Sequence, residues 1–479
     1  MSLNNKNFKV FLSTRLSRIF FVLFVLLLCG SAQGSSIQDS SAQADNKKHT
    51  EFLELFRQYL QIDTSNPPGG ELAAAHFFAD IFEHEGIPYD LVESAPGRSN
   101  IRAVIKGRKP SALILLHHMD VVPANPEQWE HPPFAALMDD QFIHGRGAVD
   151  TKSLGIFHLN AFLNLHRSGV VPDRDVVFMA TADEESGGAF GVGWLMEHWP
   201  EWFKNIDAVL NEGAVGKSIG GKTTYAVEVT QKIPLWLRLE TQGEAGHGAA
   251  PHAQTAVTRL LYASTQLQQL QFIPRAIAPV ADYFTALAPL YASPWRERFS
   301  AINDTVKSTE SMAELHEFDH RLYALLTSSC TPTRLQGSGK INVVPGMAFL
   351  ELDCRLLPDA NPEQVVERIQ TLLGPEVQVR TLLSFKPGVS SSRHPLFESI
   401  TAVLQERYPE ALLLPKVSPG FTDSHFFRER GVTAFGFSPI LLDEDGSYGV
   451  HGVNERLTLD DFYQGLQVVE DIVIQYVTD

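Results

Sequence analysis

Cysteine is nearly absent from this chain: three residues in 479, Cys29, Cys330 and Cys354. Three cysteines are too few for a disulfide scaffold, and without a CxxC or CxxxH spacing a thiolate metal site is excluded as well. Basic charge is also scarce. With 39 Lys and Arg against 56 Asp and Glu, the formal charge is −17, which argues against a partner held through its phosphates, so no nucleic acid is expected. Long apolar runs are lacking. The longest candidate, residues 19–28, falls well short of the ~20 apolar residues that cross a bilayer. No internal repeat is found, and a content of 44% apolar residues excludes a disordered chain.

What basic charge there is gathers at the start. Lys6, Lys9, Arg15 and Arg18 precede the apolar run, and Gly30, Ser31, Ala32 and Gly34 follow it. This is the layout of a secretory signal peptide, residues 1–32, with a Ser/Gln/Gly/Asp-rich linker over 33–47. A secreted or periplasmic product with no stable transmembrane span is expected, rather than a retained membrane anchor. Cys330 and Cys354 could pair in such a compartment. Cys354 also fits a buried free thiol, because residues 350, 352, 354 and 356 alternate onto an apolar strand face.

Two helices are read over 52–60 and through Phe82, separated by the Asn66-Pro67-Pro68-Gly69-Gly70 breaker. Short runs that are apolar on consecutive residues follow at 101–105, 112–116, 176–180, 208–210 and 433–437, as expected of strands covered on both faces. Helical patterns lie between them, for instance at 152–167. The fold class is therefore α/β, a mostly parallel sheet sandwiched by helices. From about residue 234 the texture alternates, at 235–239 and 348–356, with helices at 255–270 and 362–373. That suits an inserted α+β domain. The expected boundaries are 48–233 and 385–479 for a split catalytic domain and 234–384 for the insertion. The place of the helical segment 272–330 does not follow from its pattern.

Sites in open α/β sheets form at the carboxyl ends of strands. There the chain places His117-His118-Met119-Asp120, then Gly145 to Asp150 before a helix, Asp183-Glu184-Glu185, Asn211-Glu212-Gly213 and, near the end, Gly449-Val450-His451-Gly452. His118 and Asp120, two apart, share a face, so Asp120 can hold one ring nitrogen and orient the other toward a metal. Adjacent Glu184 and Glu185 repel unless a cation compensates them; one can ligate while the other serves as general base. Singly, each has an ordinary reading: a polar strand end, a solvated turn, a helix cap at Asp150, a loop carboxylate at Glu212, a surface histidine at His451. Together, two histidines and three carboxylates without sulfur suit zinc, and a central carboxylate can bridge two ions.

The motifs HHMD, GRGAVDTK, DEESGG, NEG, GHGAAPH, NVVPG, DCRLLPD and the late HG resemble, in order, the dinuclear zinc metallopeptidases that include carboxypeptidase S, aminoacylase, carboxypeptidase G and succinyl-diaminopimelate desuccinylase. The likeness runs from about residue 50 to the end and is nearest the carboxypeptidase S-like branch. It implies two zinc ions per chain. Asp150 would bridge them, His118 and Glu212 would complete one, and Glu185 and His451 the other. Glu184 would be the general base and Asp120 the residue orienting His118, with a cis peptide at Asp150-Thr151. The insertion would be a lid and dimerisation domain. His247 would stabilise the oxyanion, Asn342 and Arg355 would bind substrate, and Gly420 would lie in a loop beside the substrate's carboxylate. The extra helices of 272–330 could cover the edge through which a homodimer would form. The expected activity is hydrolysis of a peptide or N-acyl amide bond next to a free carboxylate, in short peptides or N-acyl amino acids. Carboxypeptidase-like action is the first reading and aminoacylase-like action the alternative. An exported, metal-dependent peptide-binding protein is the non-enzyme alternative.

Overall fold

The computed structural model describes residues 49–442 and 448–478. The expected signal peptide and linker lie outside the described residues. Residues 49–60 are helical, and the fold and site that follow are built from residue 56 onward.

Thirteen strands make the two main sheets: β1 (Tyr89–Ala95), β2 (Arg98–Ile105), β3 (Lys109–His118), β4 (Arg174–Thr181), β5 (Ile206–Asn211), β6 (Gly216–Ile219), β7 (Lys222–Gln231), β8 (Ile233–Gln242), β9 (Ser329–Gln336), β10 (Met347–Leu356), β11 (Val377–Ser384), β12 (Leu412–Ser418) and β13 (Thr433–Gly436). The helices named below are α1 (Glu71–Glu85), α2 (Lys152–Ser168), α3 (Ala256–Leu267), α4 (Ala278–Leu287), α5 (Pro362–Leu373), α6 (Pro395–Arg407) and α7 (Leu459–Thr478). The large sheet has nine strands in the order β1-β2-β4-β3-β5-β13-β7-β12, with β6 on β7. Strands β1, β3, β4, β5, β6 and β13 run one way, and β2, β7 and β12 the other.

Burial explains why the central strands read as unbroken apolar runs. Helices cover both faces, so the last seven residues of β3 are all buried, as are the last six of β4. On one face Ile114, Leu116, Val177, Met179 and Val209 pack with Val192, Leu195 and Phe427. Helices α2 and α7 pack on each other, and the missing side chain at Gly465 makes room: a Cβ there would stand 2.4 Å from the Phe157 ring.

The second sheet is antiparallel, in the order β9-β10-β8-β11. One face alternates into a core of its own, where Leu235, Leu237, Leu239, Leu350 and Leu352 meet Leu260 of α3 and Val365 and Ile369 of α5. Helix α5 starts where expected because the Asn361 side chain accepts from the Gln364 N–H and Pro362 opens the first turn. Cys330 and Cys354 face each other across β9 and β10 and form a disulfide. The segment left unplaced by its pattern packs on the large sheet. Val280, Phe284, Leu287, Phe299 and Leu315 share a core with Ala226 of β7 and Leu414 and Val417 of β12.

No helix among the described residues is long and apolar enough to cross a membrane.

Candidate metal centre and active site

The carboxyl ends of β3, β4 and β5 deliver His118, the Glu184–Ser186 turn and Glu212 to one place. Two loops complete it: residues 145–151, entering α2, and 448–455, leading to α7. The Asp150-Thr151 peptide bond is cis.

Asp150 lies at the centre. Its Oδ1 is 3.2 Å from His118 Nε2, and its Oδ2 is 3.1 Å from His451 Nε2. Glu212 Oε1 stands 3.5 Å from His118 Nε2, and Glu185 Oε2 stands 3.2 Å from His451 Nε2. Glu184 Oε2 is 3.9 Å from His118 Nε2. The donor atoms of His118, Asp150 and Glu185 lie within 4.8 Å of one another, as do those of His118, Glu184 and Glu212. All the expected ligands thus meet, each oxygen of Asp150 facing one histidine.

Crowding shows in the proton affinities. Burial, together with repulsion from Glu212, pushes the Glu184 carboxyl well above its ordinary range. Burial and Asp150 do the same to Glu212. Hydrogen bonds from Asp150 and Glu185 raise His451 to about 10. Burial would depress His118, but the surrounding carboxylates outweigh it and raise that ring too. Four carboxylates around two imidazoles attract positive charge, and nitrogen and oxygen donors without sulfur suit a divalent cation of zinc's preference.

The orienting contact differs in its atom from the one inferred from spacing. His118 Nδ1 donates to the main-chain carbonyl of Asp120 at 2.9 Å, whereas the Asp120 carboxylate is 3.5 Å away. The outcome for the ring is the same, because a carbonyl can only accept and so fixes the proton on Nδ1. The carboxylate itself accepts from the N–H groups of Glu184 and Glu185, both at 3.1 Å, and from Asn66 Nδ2 at 2.7 Å. Burial raises Asp120, but the His118 ring, Asn66 and the Glu185 N–H outweigh it and hold the carboxyl below its ordinary value. His117 points the other way, into an aromatic core with Tyr59, Phe78 and Phe178.

The remaining expected residues fall into two pairs. His247 is exposed on the short strand Gly246–His247, and Gly248 N–H donates to the Asn342 carbonyl. Arg355, on β10, is paired with Asp353 at 2.8 Å and lies 5.9 Å from the Phe421 ring, next to Gly420. The bonds described for these residues reach neither His118 nor the clustered carboxylates.

Several supporting residues were not legible in the motifs. Arg98 grips Glu71 and Asp183, and Asn66 bridges Asp183 and Asp120. Asp423, raised to about 7 by burial, bonds Thr181 at the end of β4. Glu455, fully buried, accepts from the N–H groups of Gly147, Val149 and Asp150. The available signals were the Asp before the paired glutamates and an acid four residues past His451.

A cluster of two imidazoles and four carboxylates at the strand ends and adjoining loops of a mostly parallel sheet, with the carboxyl of one buried glutamate raised by its surroundings, defines a metal-dependent hydrolase. The chain belongs to peptidase family M20/M25/M40, whose family model matches residues 114–475. It is 24% identical to mouse N-fatty-acyl-amino acid synthase/hydrolase PM20D1, over 94% of each chain. It is 26% identical to human aminoacylase-1, over 87% of this chain and 93% of that one. Among solved structures, the M20 family metallo-carboxypeptidase Sso-CP2 of Sulfolobus solfataricus shares the fold with a TM-score of 0.69 at 21% identity, covering 89% of this chain and 99% of that one.

Proposed function

We propose that the protein is an exported hydrolase of the amide bond in short peptides or N-acyl amino acids, next to a free carboxylate, working with two zinc ions. The observation that carries this reading is the shared carboxylate: Asp150 offers one oxygen to His118 and the other to His451. His118, Asp150 and Glu212 would hold one ion, and Asp150, Glu185 and His451 the other. When bound, the ions supply Lewis-acid activation of water and of the amide carbonyl.

The chain's own residues do the rest. Glu184, buried beside the cluster, takes the proton from the attacking water and returns it to the leaving amine, a role suited to a carboxyl whose proton affinity is raised. Asp120 fixes Glu184 and Glu185 through their main-chain N–H groups and presents its carbonyl to His118. The oxyanion would be met by His247, with Asn342 beside it, once the second sheet closes on the site or a second copy supplies that edge. Arg355, near Gly420, would receive the substrate's carboxylate. The homodimer reading draws on exposed apolar residues at this end, Ile341, Val343 and Met347, and sedimentation velocity tests it.

Of the two arms, N-acyl amino acids are favoured over peptides by the names of the curated relatives, aminoacylase-1 and the N-fatty-acyl-amino acid enzyme. A panel of N-acyl amino acids and dipeptides, assayed with zinc and with chelator, separates the arms. Glu184→Gln should keep its metal and lose between ~10²- and 10⁴-fold in kcat. Near-normal turnover would remove Glu184 from the role of base, and absence of zinc-dependent turnover on every substrate would overturn the activity.

A further inference from the structure

The two histidines of the cluster are supported in different ways. His118 ends β3, is buried, and is anchored on the Asp120 carbonyl. His451 sits in a loop at φ 56, its side chain is 55% exposed, and the bonds described for its ring go to Asp150 and Glu185. Its place must come from the loop's backbone.

That backbone is tied to the Asp150 loop at several points. Residues Phe142–His144 and Arg456–Thr458 pair as antiparallel strands, so loops 145–151 and 448–455 leave the same end of one ladder. Gly145 N–H donates to the Glu455 carbonyl at 2.9 Å. The Glu455 side chain reaches into the opposite loop: Oε2 accepts from Gly147 N–H at 2.9 Å and Arg146 Nη1 at 2.7 Å, and Oε1 accepts from Val149 N–H at 2.9 Å and Asp150 N–H at 3.1 Å. Arg146 returns the tie, with Nη2 donating to the Gly452 carbonyl at 2.6 Å, one residue from His451. The loop is tight enough to require Gly449 at φ 80, where a Cβ would stand 2.7 Å from the Val453 carbonyl.

We propose that Glu455 and Arg146 form a staple that sets the spacing of Asp150 and His451, and so governs the affinity of the metal position those two share with Glu185. They are positioning residues. This rests on the ligand reading given under Proposed function and adds that the two positions are unequally supported, one by the sheet and one by the staple. Residues behind metal ligands commonly change affinity by about 10- to 100-fold when replaced.

The experiment is zinc titration by calorimetry on the full chain stripped with chelator, with bound metal counted by elemental analysis. His451→Ala identifies which of two binding steps belongs to the His451 position. Glu455→Gln, with unchanged far-UV circular dichroism, should weaken that same step about 10- to 100-fold and leave the other within about twofold. Two steps in the parent chain with neither altered in Glu455→Gln would overturn the staple alone, as would selective loss of the step that His451→Ala leaves intact. Fewer than two zinc ions in the parent chain would overturn the ligand reading and the staple with it. Should Glu455→Gln fail to fold, Arg146→Met keeps the three N–H bonds to Glu455 and removes the tie to Gly452. The same step should then weaken about 10-fold, and unchanged affinity would again overturn the proposal.

Discussion

Arg98→Met tests whether the site rests on buried charge held by a single cation. The guanidinium donates to both oxygens of Glu71 at 2.8 Å, to Asp183 Oδ1 at 2.8 Å and to the Pro68 carbonyl at 3.4 Å. Glu71 is fully buried and Asp183 nearly so. Methionine fills similar space but leaves both carboxylates without their cation, a change that costs about 3–5 kcal/mol when a buried pair is broken. Glu71 also predicts how the cost varies with pH. Burial, with repulsion from Asp120, already raises its carboxyl, and Arg98 opposes that rise. Without Arg98 the folded-state pKa climbs further above the unfolded value. The carboxyl is then tolerated while protonated, and stability is lost as pH rises through the folded pKa. The loss should therefore be larger at pH 8 than at pH 5, and adding Glu71→Gln should recover part of it at pH 8. Urea unfolding followed by tryptophan fluorescence at the two pH values measures this. A loss below about 1 kcal/mol, or one that grows on acidification, would refute the reasoning.

Two further perturbations address the scaffold. His158, on α2 behind the site, is buried with its pKa lowered to about 3 by desolvation. The unfolded chain binds a proton near pH 6.5 that the folded chain refuses, so stability should fall by up to about 5 kcal/mol between those values. His158→Leu should flatten that acid limb in thermal melts of the metal-stripped chain from pH 7 to 4, and an unchanged slope would count against it. The Cys330–Cys354 bridge closes a loop of sequence separation 24. Replacing both residues by serine should cost about 3 kcal/mol in urea unfolding, and a double variant of equal stability would contradict the loop-closure account.

The parts of the fold legible in the sequence were those whose pattern reports burial directly. The central strands β3, β4 and β5 are covered on both faces, and the resulting apolar runs reveal them. Strand β11 was not marked, because its residues are largely exposed and carry no such signal. The helices of 272–330 showed their period but not their partner. Periodicity locates an apolar face, whereas the surface it meets, here β7 and β12, is distant in the chain. The disulfide was left open for a related reason: alternation put Cys354 on a buried face, but only the β9–β10 register brings Cys330 opposite it. At the site, residues that face the cavity announced themselves as carboxylates and histidines at strand ends. Those behind it did not.

That asymmetry follows from how the site is held. Glu184, Glu185 and Glu212 face one another and are pushed toward the protonated form, so their proximity costs free energy and cannot hold them in place. The fixing is done by a second set of carboxylates that bond main-chain N–H groups: Asp120 on Glu184 and Glu185, Asp183 on Phe190, and Glu455 on Gly147, Val149 and Asp150. Arg98 pairs with Asp183 and Arg146 with Glu455, and clamping the backbone positions whole loops rather than single side chains. It follows that repulsion among the inner acids is resisted by main-chain geometry. An inner acid can be guessed from its chemistry, since its type and spacing are dictated by what it binds. An outer one is dictated by which N–H groups the fold happens to expose, and that is known only after the loops have met.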